Sequence, residues 1–138
     1  MSMPITLETA VRPPLRRRAT ARVAVAVAAA LIQLPPLRLA RVLGVLSRGA
    51  RPAVRQQALE ARRAVVFVSV RCAGQGCLQR SVATILLCRL AGVWPDWCTG
   101  VRTLPFRAHA WVEAEGEPVG EPDDTPLYRV TLSVRGRR

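Results

Sequence analysis

The sequence predicts an α+β fold in which N-terminal helices pack on a small C-terminal antiparallel sheet. Three observations lead there. Up to Gly92, apolar residues recur at the three-and-four spacing of helices in long stretches. After Gly92 they alternate in short runs separated by Gly, Pro and acidic residues, as strands do. The two patterns do not interleave, so helices are followed by strands rather than alternating with them.

Residues 1–19 contain Pro4, Pro13 and Pro14 and the run Arg16-Arg17-Arg18, and read as a loose arm with at most one helical turn around Leu7 to Val11. A single domain is expected over residues 20–134, helical over 20–92 and sheet over 93–134. Thr20 to Leu34 is an Ala/Val-rich helix stopped by Pro35-Pro36. Arginines ahead of its apolar run, Val23 to Ile32, raise the question of an export signal or a membrane span. The run covers about ten residues, against about twenty needed to cross a bilayer. Pro35-Pro36-Leu37-Arg38 follows where a small-residue cleavage site belongs. A buried helix is therefore expected, with peripheral membrane contact through the arginines as the lesser alternative.

Leu37 to Leu46 is a second helix, with Leu37, Ala40, Val42 or Leu43, and Leu46 near one face. Ser47 to Pro52 is a turn. Ala53 to Val70 is a longer helix with Val54, Leu59, Ala64, Val65 and Val68 on one side, although its end, Ala64-Val65-Val66-Phe67-Val68, is β-branched and fits a strand too. Ala73-Gly74-Gln75-Gly76 breaks regular structure. Cys77 to Leu90 is a helix closed by Ala91-Gly92, with glycine at C′. It is apolar on most sides, which predicts a central position. Trp97 to Thr103, Phe106 to Ala114, Glu117 to Glu121 and Tyr128 to Val134 read as strands, and Arg135-Gly136-Arg137-Arg138 as a frayed end. There is no internal repeat.

Composition narrows the function. The 138 residues include 21 arginines, no lysine and 9 acids, for a net charge of +12. Before residue 90 the only acids are Glu8 and Glu60, against 15 arginines; from Ala108 to Tyr128 there are six acids and no arginine. A basic helical half thus adjoins an acidic strand half. Such charge suits an anionic partner, but there is no zinc finger, RRM-like aromatic motif or stacking platform. Nucleic acid is not expected, and arginines solvating helix faces account for the charge equally well. The four cysteines, Cys72, Cys77, Cys88 and Cys98, form no Cys-x-x-Cys pair, and the one histidine offers no second nitrogen ligand, so no structural zinc, other metal or cofactor is expected. Without a convincing export signal, the thiols are expected reduced in a cytoplasmic setting.

The chemistry sits in two segments. Cys77-Leu78-Gln79-Arg80-Ser81 places a thiol at the start of a helix, and His109-Ala110-Trp111-Val112-Glu113 places the only histidine on an alternating strand. Free N–H groups and the positive end of the dipole at a helix N-terminus favour the thiolate. The same amides, or a side chain such as Gln75, are candidate donors to an oxyanion. His109 is then the base, and a carboxylate should hold its second nitrogen. A three-residue hairpin loop, Ala114-Glu115-Gly116, pairs His109 with Glu121. A two-residue loop slips the register and puts Pro122 opposite. Glu121 is the favoured orienter, Asp123 the fallback and Asp124 less favoured. The competing reading is a buried thiol acting as a small hydrophobe and an unconnected imidazole; Cys88 and Cys98 are read as core residues and Cys72 as inert or loosely exposed.

Cys77-Leu78-Gln79-Arg80-Ser81, Leu86-Leu87, Leu90-Ala91-Gly92, Gly100-Val101-Arg102, Pro105-Phe106-Arg107-Ala108-His109-Ala110-Trp111-Val112-Glu113 and Gly116-Glu117-Pro118-Val119 together resemble the leader peptidases of lasso-peptide biosynthesis, which are transglutaminase-like cysteine proteases. The likeness runs over about residues 50 to 134 and is strongest from Cys77 to Glu121. It implies a papain-like core with a helix carrying the nucleophile (Cys77), a sheet carrying the base (His109), and a third position where Glu121 stands in place of the usual Asp. It implies a ribosomally made precursor peptide as substrate, cut between leader and core, whose core a separate ATP-using cyclase then closes into a ring. The chain resembles the split form, which works with a separate leader-recognition protein; that protein and the cyclase are the implied partners. A transglutaminase-like acyltransferase or amidase on another peptide, and a non-enzymatic basic module, are the alternatives.

Overall fold

The structure is a computed structural model, which describes residues 12–136. Five helices, α1 (Leu15–Leu31), α2 (Pro36–Leu46), α3 (Arg55–Val68), α4 (Val70–Ala73) and α5 (Cys77–Leu90), are joined to six strands, β1 (Arg51–Pro52), β2 (Val93–Trp94), β3 (Asp96–Arg102), β4 (Arg107–Ala114), β5 (Glu117–Pro118) and β6 (Arg129–Val134). The mixed class is as expected, and β3 to β6 form an antiparallel sheet in the order β5-β4-β3-β6.

Helix α1 begins earlier than expected, at Leu15, so Arg16, Arg17 and Arg18 lie in its first turn rather than in an arm. Pro14 precedes it with φ −58°, already the value a helix needs, and arginine is a good helix former. The possible turn at Leu7 to Val11 lies outside the described residues. The helix ends at Leu31, before Leu34, because the backbone tightens ahead of Pro35: Gln33 N–H donates to Ala30 O and Leu34 N–H to Leu31 O. The β-branched end of α3 is helical to Val68, since Ala61, Ala64 and Val65 are buried there against the other helices and packing overrides propensity. Ser69 then breaks the chain and restarts it, its side chain accepting from Cys72 N–H at 3.2 Å to begin α4.

Two expectations of the linking segments are corrected. Arg51 and Pro52 are not only a turn but a short strand parallel to Val93 and Trp94. The strand expected from Trp97 starts at Asp96, and Pro95 separates it from the short β2 that follows Gly92. At the C-terminal end, Arg135 and Gly136 are not frayed: Asp96 accepts from Gly136 N–H and from Arg135 Nη1, both at 3.1 Å.

Helix α5 occupies the centre, packed against α1, α3 and β4. Its faces bury Val82, Ala83, Ile85 and Leu87. Small residues of α1 (Ala21, Ala24, Ala28) and α3 (Ala58, Ala61, Ala64) meet it, and let three helix axes approach closely. Two buried tryptophans tie the sheet to its surroundings, one to a helix and one across to β2. Trp97 Nε1–H donates to Ser81 Oγ on α5 at 3.1 Å, and Trp94 Nε1–H to Val134 O on β6 at 3.2 Å.

The hairpin between β4 and β5 differs from the favoured register. Glu113 faces Pro118 and Ala114 faces Glu117, which is the two-residue loop. Glu115 (φ 57°) and Gly116 (φ 81°) are both left-handed, the pair of angles a tight right-twisting hairpin turn requires. Strand β5 stops at Pro118, well before Glu121.

Candidate active site

Cys77 is the first residue of α5, held by a turn in which Gly76 N–H donates to Arg71 O and Cys77 N–H donates to Gln75 O, both at 2.9 Å. The Cys77 amide is therefore occupied. The helical ladder opens with Arg80 N–H to Gly76 O, so the Leu78 and Gln79 amides precede it and face the helix end. Gln75 lies on the exposed part of the turn.

His109 sits in β4 opposite Gly100 of β3. Its imidazole lines the same groove as the Cys77 thiol and interacts with it strongly enough to lower the thiol's pKa. Its Nε2 lies 2.9 Å from Glu121 Oε2, which leaves Nδ1 as the nitrogen for the sulfur. The ring stacks on Trp111 at 5.8 Å between centroids and is tilted against Tyr128 at 5.4 Å.

Glu121 reaches His109 without being its cross-strand partner. The chain leaves β5, turns at Gly120 in the left-handed region (φ +66°), and carries the carboxylate inward. The Glu121 side chain is 3 % exposed and lies between two buried guanidinium groups, Arg62 Nη2 at 3.7 Å and Arg80 Nη2 at 4.0 Å from Oε1. Arg80 also donates from Nη1 to Cys72 O at 3.0 Å and Gly74 O at 3.2 Å, tying the turn before Cys77 to the same carboxylate. Asp123 is exposed, and Asp124 pairs with Arg102 at 3.1 Å.

The electrostatics separate Cys77 from the other thiols. Burial lifts Cys77, but hydrogen bonds from His109 and the Ala110 amide, with the charges of His109 and Arg80, outweigh it and lower the pKa. Burial raises Cys72, and pushes Cys88 and Cys98 up to about 12. Burial by itself lowers His109, yet hydrogen bonds to Cys77 and Glu121 and the charges of both raise it to about 9. The arrangement favours a thiolate beside an imidazolium. All four cysteines are free, and among the described residues no cluster of three His, Cys, Asp or Glu is placed to hold a metal.

The structure thus brings Cys77, His109 and Glu121 together and leaves Asp123 apart. Sequence reasoning placed Trp111 on the strand face of His109 but missed Arg62, Arg80 and Tyr128 as neighbours of the site. Arg80 carried a signal, since a guanidinium within a helix apolar on most sides must find a buried partner. Arg62 and Tyr128 carried none, because only the tertiary packing brings them near. An open groove of about 430 Å³ leads away from Cys77 and His109.

The chain matches the Transglutaminase-like superfamily over residues 21–133 and belongs to it. Its fold is of the cysteine protease and acyltransferase type. No curated protein and no solved structure matches it. Among the described residues, no helix is long and apolar enough to cross a membrane.

Proposed function

We propose that the protein is a cysteine peptidase that removes the leader from a ribosomally synthesised lasso-peptide precursor, with Cys77 as nucleophile, His109 as base and Glu121 as the orienting carboxylate. The observation that carries the catalytic part is the chain of contacts from the Cys77 thiol through His109 to a buried Glu121 at 2.9 Å, with the thiol lowered and the imidazole raised. The lasso-precursor part rests on the Pro105-to-Glu113 string and the Cys77 motif.

The Cys77 thiolate attacks the scissile carbonyl carbon, and the carbonyl electron pair moves onto oxygen, toward the amides at the start of α5. Imidazolium Nδ1–H protonates the leaving nitrogen, the C–N bond breaks, and the core leaves with a free amine. Water then loses a proton to His109, adds to the thioester and expels the thiolate, giving the leader a carboxylate. Glu121 holds Nε2–H throughout, so the ring keeps one tautomer and one orientation. A separate recognition protein delivers the leader, and an ATP-dependent cyclase takes the freed core; the protein works in the cytoplasm.

The test mixes purified protein, precursor and recognition protein and reads the products by mass spectrometry. Hydrolysis gives a core with a free amine and a leader with a carboxylate. A cross-linked product indicates acyl transfer instead. Cys77→Ala and His109→Ala are each expected to abolish cleavage while remaining folded, and Glu121→Gln to slow it by roughly 10²-fold or more. Continued cleavage by Cys77→Ala overturns the proposal.

A further inference from the structure

The groove at Cys77 has a chemical character that the reaction does not require. One wall is the connection between α1 and α2 with the first turn of α2, through Ile32, Leu34 and Leu39; the floor is the inward side of the sheet, through Val101, Ala108 and Leu132. Cys77 and His109 are themselves part of its lining, so a chain presented for attack passes over it. The chain has 21 arginines and 9 acids, yet among the described residues no arginine, aspartate or glutamate lines this groove, whose charge is confined to the Cys77–His109 pair. Its polar lining is already engaged: Thr99 and Thr131 bond one another at 3.3 Å, and Trp97 Nε1–H is bound to Ser81. A charged side chain placed there loses its water and gains no partner, whereas an apolar one loses nothing and buries its surface. About 430 Å³ is within the range of small-ligand clefts, roughly 300–1,000 Å³.

We infer that this groove is a specificity subsite that takes an apolar side chain of the substrate, next to the bond that is cut. The inference rests on the reading of Cys77 as the nucleophile. It assigns to Val101 and Leu132 the selection of the substrate residue, and separates that selection from the arginine-rich surface elsewhere.

The test alkylates Cys77 in the full-length protein with iodoacetamide and with N-methyl, N-butyl and N-hexyl iodoacetamide, and adds an N-carboxyalkyl reagent of hexyl length. The thiolate displaces iodide in each case, so the chemical step is common and only the tail varies. Mass spectrometry of the peptides assigns the label to Cys77. The rate should rise by roughly tenfold or more from methyl to hexyl, and the charged tail should cancel the rise. Val101→Gln and Leu132→Gln should each flatten the dependence on tail length while leaving the iodoacetamide rate as in the wild type. That unchanged rate reports an intact fold and thiol. If one variant fails to fold, the other and the charged-tail comparison still decide. Equal rates for all tails at a thiol that reacts well below pH 9 overturn the subsite but leave the nucleophile standing. A Cys77 no more reactive than Cys72 overturns the catalytic reading on its own. Acceleration that disappears as protein concentration rises, with a dimer by light scattering, assigns the groove to a second copy and overturns the inference.

Discussion

His109 is the only histidine of the chain, so one imidazole titration reports the state of the whole site. Burial alone would make this ring a weaker base than usual. The thiol and the carboxylate reverse that and set it at about 9. Nitrogen-detected NMR of the labelled ring should show this raised value in the wild type and a clearly lower one in Glu121→Gln and in Cys77→Ala, because each removes a contact that favours the imidazolium. A Glu121→Gln ring titrating as the wild type would remove Glu121 from its orienting role. The pH dependence of cleavage has a definite sign. At low pH the thiol is protonated and kcat/KM is small. It rises as Cys77 ionises, below the ordinary thiol value of 9.0. It falls again near 9, as His109 loses the proton the leaving amine needs. The two limbs belong to the coupled pair. A profile that keeps rising above pH 9 would contradict the thiolate–imidazolium arrangement.

At the scale of elements, the placement of Glu121 depends on a short irregular segment rather than on a strand. The pattern from Glu117 to Glu121 reads as one strand in the sequence, but the strand covers only Glu117 and Pro118, with one further bond from Val119 N–H to Val112 O. Beyond Pro118 the chain turns at Gly120, where a Cβ would lie 2.9 Å from Arg62 Cδ and the backbone is left-handed. Gly120→Ala therefore strains the backbone by about 1 kcal/mol or more and presses on the guanidinium beside Glu121. It should lower kcat more than it changes KM and lower the His109 pKa; a variant with wild-type kinetics would show that the turn does not set the carboxylate. Cys77 to Leu90 is fully legible as a helix, because its apolar spacing, its preceding glycine turn and Gly92 at C′ all agree. The end of α3 is ambiguous in the sequence, because β-branched residues suit a strand until a neighbouring helix gives them a face to bury.

On the scale of the whole molecule, the nucleophile and the base belong to different halves. Cys77 travels with the helices and His109 with the sheet, so their contact is as firm as the docking of α5 on β3 and β4. Trp97, 1 % exposed and bonded to Ser81, is a buried polar tie between those halves. Trp97→Phe should cost about 1–3 kcal/mol, from the unpaired Ser81 hydroxyl and the lost ring volume. Thermal unfolding measures that loss, and slower alkylation of Cys77 should accompany it as the thiol and imidazole drift apart. Unchanged stability with unchanged thiol reactivity would mean that the halves are docked by other contacts. The basic and acidic halves meet where Arg62 and Arg80 of the helices flank the buried Glu121 and where Arg55 Nη1 donates to Pro118 O, while Arg102 with Asp124 and Arg135 with Asp96 pair within the strand half.

The sequence by itself determined the class of fold, the central helix headed by Cys77, the strand bearing His109 and the candidacy of Glu121, because these depend on local periodicity, on turn residues and on which residue types can carry the chemistry. Tertiary structure alone decided the hairpin register, the inward path of Glu121, the two arginines around it and the uncharged groove beside the thiol. Those features arise where segments far apart in the chain exclude water together, and no local pattern encodes which distant side chains will meet there.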